Sequence, residues 1–237
     1  MSKGEIVVQD FAGFHNGAFE QGRSRVIEGA SWKKQRIVVV IPTGNAIPAK
    51  VALSLWNLGF PPNNPVIRIL AIGMEVGEAY SNAVEGILAE PSLADWEYML
   101  TVEHDNLARP NGVLKLLERM EKHPELHCIS GLYFQKGEGG YPQIWGDPKD
   151  PIPNFRPQPP VNGELVECCA TGMGFALWRL SMFKDQRLPR PLFQTKDFPL
   201  MSQDLSFWAN ARPLGYRCAV DCSVKVGHMD PATGFVW

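Results

Sequence analysis

No stretch of this sequence stays apolar for the roughly 18 residues that a membrane-spanning helix needs, so nothing in it reads as a transmembrane segment. The opening residues, MSKGEIVVQD, lack a basic segment followed by an apolar one; the expectation is therefore a cytoplasmic protein. Positive charge is not in excess. Lys and Arg number 23 against 25 Asp and Glu, which argues against a broadly basic nucleic-acid-binding surface. Cysteine is sparse and unpatterned. Cys128, Cys168, Cys169, Cys218 and Cys222 are odd in number and form no CxxC pair. Cys128 and Cys168 lie in apolar, strand-like runs, as free buried thiols of a reducing compartment would. A zinc site from Cys218, Cys222 and His228 lacks a second close ligand pair. There is also no internal repeat, which excludes solenoids.

What is present is a chain of ordinary globular composition, 45% apolar and 20% charged. It is long enough for one good-sized core, and one domain with elaborated loops is the default. Residues 1–35 show no sustained periodicity and read as an N-terminal extension on the domain, with one short strand at Ile6-Val7-Val8. From Arg36 the pattern sharpens. RIVVVIP is an unbroken β-branched run, expected of a strand buried on both faces. It ends in Pro42-Thr43-Gly44-Asn45. Helical periodicity follows over 47–58, a strand over 66–72, a helix over 76–88, a strand over 96–102, a helix after Pro110 and a strand over 126–134. This alternation predicts an α/β fold with a mainly parallel, helix-covered sheet.

The segment WEYMLTVEHDN (96–106) is the centre of that pattern. An apolar strand breaks abruptly into Glu103-His104-Asp105-Asn106, and ligands of open α/β sheets bind beyond the carboxyl ends of strands. On extended chain the carboxylates of Glu103 and Asp105 point the same way, roughly 6.5–7 Å apart, with His104 turned to the opposite face. That spacing suits a divalent cation with a polyol or diphosphate.

After Phe134 the composition changes. Residues 135–163 hold seven prolines and little periodicity, as functional or mobile loops do. Strand-like LVECCAT (165–171), a helix over 202–212 and extended chain to His228 give the second half an α+β character.

Four pieces together resemble the GT-A class of nucleotide-sugar glycosyltransferases, closest to the family-two-like group, over roughly residues 36–229. They are the first strand ending in IPTGN, the segment AYSNAVEG, EHDN in the place of the family's DxD, and SQDLSFWANARPLGYRCAVDCSVKVGHMD. The resemblance implies a GT-A-like single domain over 36–237, with a nucleotide-binding half (36–134) and a half completing the acceptor and metal sites (135–237). It departs from the family pattern at Glu103, at Ser81 where an Arg is common, and at Gln203 where an acid often precedes the helix Asp.

The activity so implied is metal-dependent transfer of a sugar from a nucleotide-diphosphate sugar to an acceptor hydroxyl. Donor binding falls to Pro42, Thr43, Gly44, Asn82, Glu103, His104 and Asp105. Asp105 and His228 are the expected ligands of Mn²⁺ or Mg²⁺, hard cations that take oxygen, with Mn²⁺ also accepting imidazole. Asp204 is the expected general base. Trp145, in the Pro-rich loop, offers a face for a sugar, and Gly172 and Gly174 would let backbone approach the acceptor. The acceptor itself is open: a saccharide, a protein, a lipid head group or a modified nucleobase. A catalytically silent nucleotide-sugar-binding module is the alternative from another class. A nucleotidyltransferase on a related fold is the other, although Pro42-Thr43-Gly44-Asn45 carries no basic residue for a triphosphate.

Overall fold

The computed structural model describes residues 5–10, 35–62, 64–137, 140–150, 154–197 and 200–237. The chain runs β1 (Glu5–Asp10), β2 (Ile37–Thr43), α1 (Ala49–Trp56), β3 (Val66–Ile72), α2 (Val76–Ala89), β4 (Tyr98–Val102), β5 (Asn106–Ala108), α3 (Gly112–Lys122) and β6 (Cys128–Leu132). It continues through β7 (Ile144–Trp145), β8 (Leu165–Cys168), β9 (Ala170–Thr171), β10 (Phe175–Arg179), β11 (Lys196–Asp197), β12 (Leu200–Met201), α4 (Gln203–Ala211) and β13 (Cys218–His228).

A nine-stranded sheet organises these elements, in the order β1-β3-β2-β4-β10-β6-β13-β5, with β8 also on β13. The pairings leave β2, β3, β4, β6 and β13 pointing one way. The fold is thus α/β with a large, mostly parallel central sheet and, among the described residues, four α-helices. Two features lie beyond the sequence pattern. β10, from the second half of the chain, inserts antiparallel between β4 and β6. The other is the place of the strand expected at Ile6-Val7-Val8, which forms over Glu5–Asp10 and pairs antiparallel with β3 at the sheet edge.

The β-branched run of β2 behaves as its composition requires. Val38 and Val40 enter one apolar layer, while Ile37, Val39 and Ile41 enter the other. On the first face α2 contributes Tyr80, Ala83, Val84 and Ile87, and α4 contributes Phe207, Trp208 and Ala211. On the second, α3 lays down Val113, Leu114, Leu116, Leu117 and Met120 at helical spacing. Each such side chain contributes about 1.5–3 kcal/mol when fully buried. Helix α2 starts where the Glu75 carboxylate accepts from the backbone N–H groups of Gly77 and Glu78, at 2.8 and 3.0 Å. It stops at Ala89, just before the Glu90-Pro91 step that disfavours helical backbone. Pro110 directly precedes Asn111, the cap of α3, so the helix begins after the proline as expected.

Candidate metal and nucleotide site

Strand β4 ends at Val102, and the three residues that follow do not continue extended. The chain turns, with the Asn106 N–H on the Glu103 carbonyl at 3.1 Å, and β5 then runs back along β13. His104 is therefore not turned away from the carboxyl groups as strand alternation would require. In a turn neighbours no longer face opposite ways, and His104 lines the same cavity as Glu103 and Asp105. That cavity, of about 340 Å³, is also lined by Pro42, Thr43 and Gly44 after β2, by Met74 and Val76 at the start of α2, and by Gln203 on α4. Its walls stand at the carboxyl ends of the parallel strands, where open α/β sheets bind ligands.

Behind this cavity the sheet brings His228, at the end of β13, onto Asp105. His228 pairs in register with Asn106, and the Met229 N–H donates to the Asp105 carbonyl at 2.8 Å. Imidazole Nε2 lies 3.6 Å from Asp105 Oδ2. Nδ1 lies 2.7 Å from the Phe134 carbonyl oxygen, which can only accept, so Nδ1 carries the proton. Nε2 faces the carboxylate side: in the charged ring its N–H donates to Asp105, and in the neutral ring its lone pair has the orientation of a metal-ligating histidine with the second nitrogen tied to backbone. Glu103, Asp105 and His228 each present one ligand atom, all within 4.8 Å of one another. They are the sole such group among the described residues, so the zinc arrangement of Cys218, Cys222 and His228 does not form there.

The electrostatics split the two carboxyls. Burial pushes Glu103 up to about 8, with the charges of Asp105 and Asp204 adding to it and Lys136 and Tyr80 opposing. Burial would raise Asp105 too, but hydrogen bonds and charge from His228 and Lys136 outweigh it and bring it down to about 2. Two acids two residues apart thus hold different charge states at neutral pH.

The residues present fit a hard divalent cation. They supply two carboxyl groups and an imidazole. The buried Asp105 Oδ1 has no hydrogen-bond partner, nor does either amide atom of fully buried Asn106. Buried polar atoms are rarely left this way without a ligand or solvent to meet them.

Asp204 is buried in the first turn of α4, and its Oδ1 accepts from the Ser202 hydroxyl and from the Leu205 N–H at 2.8 Å. Burial raises its pKa against these hydrogen bonds. It does not line the cavity, but its charge reaches Glu103. Asn82 sits mid-helix and exposed, its amide 3.6 Å from the sulfur of the cavity-lining Met74. Ser81 is buried and clamps Phe193. Its hydroxyl donates to the Phe193 carbonyl at 3.0 Å and accepts from the Phe193 N–H at 2.9 Å.

The structure does not bring the three remaining candidates into the cavity. Trp145 is buried in β7, paired with β9, and its indole N–H donates to Gln143 at 3.1 Å. The loop beyond it is hydrogen-bonded onto this strand through Gly146 to Arg156 and Gln158 to Ile144. Gly172 and Gly174 have their own reason to lack side chains. A Cβ on Gly172 would lie 2.1 Å from the Tyr133 hydroxyl, and one on Gly174 2.7 Å from the Tyr133 ring. They make room for Tyr133, whose ring meets His228 edge-on at 5.6 Å. The sequence reading missed Tyr133, Met74, Val76 and Lys136. A position just past the end of β6 was the available signal for Lys136, which donates to Asp105 Oδ2.

No family model matches the sequence, and no curated protein matches it. Among solved structures the chain is similar to the crystal structure of A197 from STIV, with a TM-score of 0.60 and 14% identity, over 83% of this chain and 87% of that one. The two share a fold. Among the described residues no helix is long and apolar enough to cross a membrane.

Proposed function

We propose that the protein is a metal-dependent glycosyltransferase that moves a sugar from a nucleotide-diphosphate sugar to an acceptor hydroxyl. The observation that carries this reading is the meeting of Glu103, Asp105 and His228 at the carboxyl ends of the parallel strands, beside a cavity of about 340 Å³. Residues 36–237 would form the GT-A-like domain, with 1–35 as its extension. Asp105 and His228 would hold Mn²⁺ or Mg²⁺. Such an ion, when bound, supplies positive charge to the leaving diphosphate. Pro42, Thr43, Gly44 and His104 would line the donor cavity, with Asn82 in contact with its Met74. Glu103 is suited to a donor hydroxyl, since its protonated carboxyl both donates and accepts. Asp204, held rigidly by Ser202 and its own helix, would take the proton of the acceptor hydroxyl; burial makes it a stronger base than an exposed aspartate.

One observation favours the silent binding module as a second reading. Asp204 Oδ1 is engaged by both the Ser202 hydroxyl and the Leu205 N–H, as a purely structural helix-end carboxylate would be.

Thermal melts with a panel of nucleoside diphosphates, with and without Mn²⁺, test the shared core of both readings. A ligand at 100 times its Kd stabilises by about 2.7 kcal/mol, a visible shift. The expected outcome is a Mn²⁺-dependent rise with one nucleotide. A panel without any rise would end the donor-site reading. Slow hydrolysis of the matching sugar nucleotide would separate enzyme from silent module.

A further inference from the structure

We propose that Lys136 is the resident counter-cation of the acidic centre, which a divalent ion displaces from Asp105 and which then meets the donor's phosphates. This rests on the glycosyl-transfer reading and adds to it a residue with a distinct task. Lys136 stands four positions after the end of β6. The bridge between Phe134 and Pro142 and the hydrogen bond from the Gln135 N–H to the Tyr141 carbonyl, 2.9 Å, anchor the chain that carries it. Its side chain keeps about a third of its exposure and the Asp105 side chain about an eighth, so the ammonium reaches inward from the rim.

The ammonium donates to Asp105 Oδ2, the oxygen that His228 Nε2 also faces. An ion held jointly by Asp105 and His228 would lie on that side of the carboxylate. Two cations cannot share that position without strong repulsion in a partly buried site. The one free to leave is the ammonium, on its flexible four-carbon stem. It has a second carboxylate near: Asp230, two residues past His228, lies in the field of the same charge.

The cavity also needs a mobile cation. None of its lining residues is Lys or Arg, whereas Glu103 and Asp105 line it and Asp204 stands close. A diphosphate approaching three carboxyl groups requires positive charge beyond that of the groups lining the wall. A lysine released by the incoming ion supplies it on the side where the phosphates would lie, and so couples ion loading to donor capture.

The test begins with Mn²⁺ alone, titrated with no nucleotide and followed by loss of the free-ion EPR signal. Lys136→Met should bind Mn²⁺ about fivefold more tightly than wild type, the order expected from removing a part-exposed competing ion pair. Lys136→Arg should stay near wild type, and Asp105→Asn should lose binding. With Mn²⁺ saturating, uridine or guanosine diphosphate, whichever wild type binds, should bind Lys136→Met about tenfold more weakly. Should Lys136→Met fail to fold, Lys136→Gln carries the same test. Equal or weaker Mn²⁺ binding by the neutral variant overturns the proposal. A tighter Mn²⁺ site in the variant with neither diphosphate bound by wild type leaves the competition standing and removes the phosphate role together with the donor reading.

Discussion

Strand β4 has a cavity at each end, and the two differ in one respect that matters. At its amino end Asp95, Trp96, Glu97 and Tyr98 line about 300 Å³ with Arg179, Ser181 and Lys184. The size matches the other end and so does the wealth of charge. Here, however, the charges are answered. Glu97 takes Arg36 at 2.7 Å, Asp95 takes Lys184 at 2.9 Å, and Arg179 donates to the carbonyls of Leu126 and Met120. At the carboxyl end the charges of Asp105 and Asp204 both bear on Glu103, one ammonium opposes them, and a buried carboxylate oxygen has no partner. Cavity volume and charge content do not separate these regions. Unanswered buried charge does, because leaving it so costs stability that a purely structural cluster would relieve by pairing.

If that contrast marks function, the largest effect belongs to Asp204. Asp204→Asn keeps shape but removes the proton acceptor, so turnover should fall by about 10²–10⁴-fold while donor affinity stays unchanged. Paired calorimetry and initial rates check this; full turnover would reduce Asp204 to a helix-end acid. Next come the ligands. Supporting groups around a metal are typically worth about 10–100-fold in affinity, so Asp105→Ala or His228→Ala should weaken Mn²⁺ binding by at least that order. Unchanged affinity in both variants would erase the distinction between the two ends.

The amino end supplies the counter-test. Glu97→Gln should cost about 1 kcal/mol in denaturant midpoint, because the Arg36 pair is part-exposed and screened, and should leave Mn²⁺ and nucleotide binding untouched. The smallest effect is a slope. In EDTA, Glu103 has its pKa raised from 4.5 to about 8 in the folded state. The folded protein therefore holds this proton where the unfolded chain has released it. The associated stability is complete below about pH 4.5, declines as pH rises, and is gone above about 8. Glu103→Gln should flatten that decline in chemical denaturation across the same window; an unaltered slope would place the titration elsewhere.

Much of the scaffold was legible in the residues. The helix over 202–212 and the strand ending in His228 lie where the apolar pattern put them. The turn at EHDN was not legible as a turn. Its apolar lead-in suggested continued strand, and the backbone bond from Asn106 to Glu103 that bends it leaves no compositional mark. Gly172 and Gly174 do admit a close approach, but that of Tyr133, which lies outside their local sequence. Trp145 reads as an exposed aromatic in a proline-rich loop only until β9 covers it.

By itself the sequence determined which segments bury two faces and which bury one, since Ile37 to Ile41 and Val113 to Met120 follow periods set by local backbone geometry. It also determined that acids would stand at the end of β4. Only the tertiary structure decided that β10 lies between β4 and β6, and that Lys136 and His228 close on a single oxygen of Asp105. Periodicity is a property of neighbours along the chain. Strand order and the balance of charge at one atom depend on which distant segments pack together, and no local pattern records that choice.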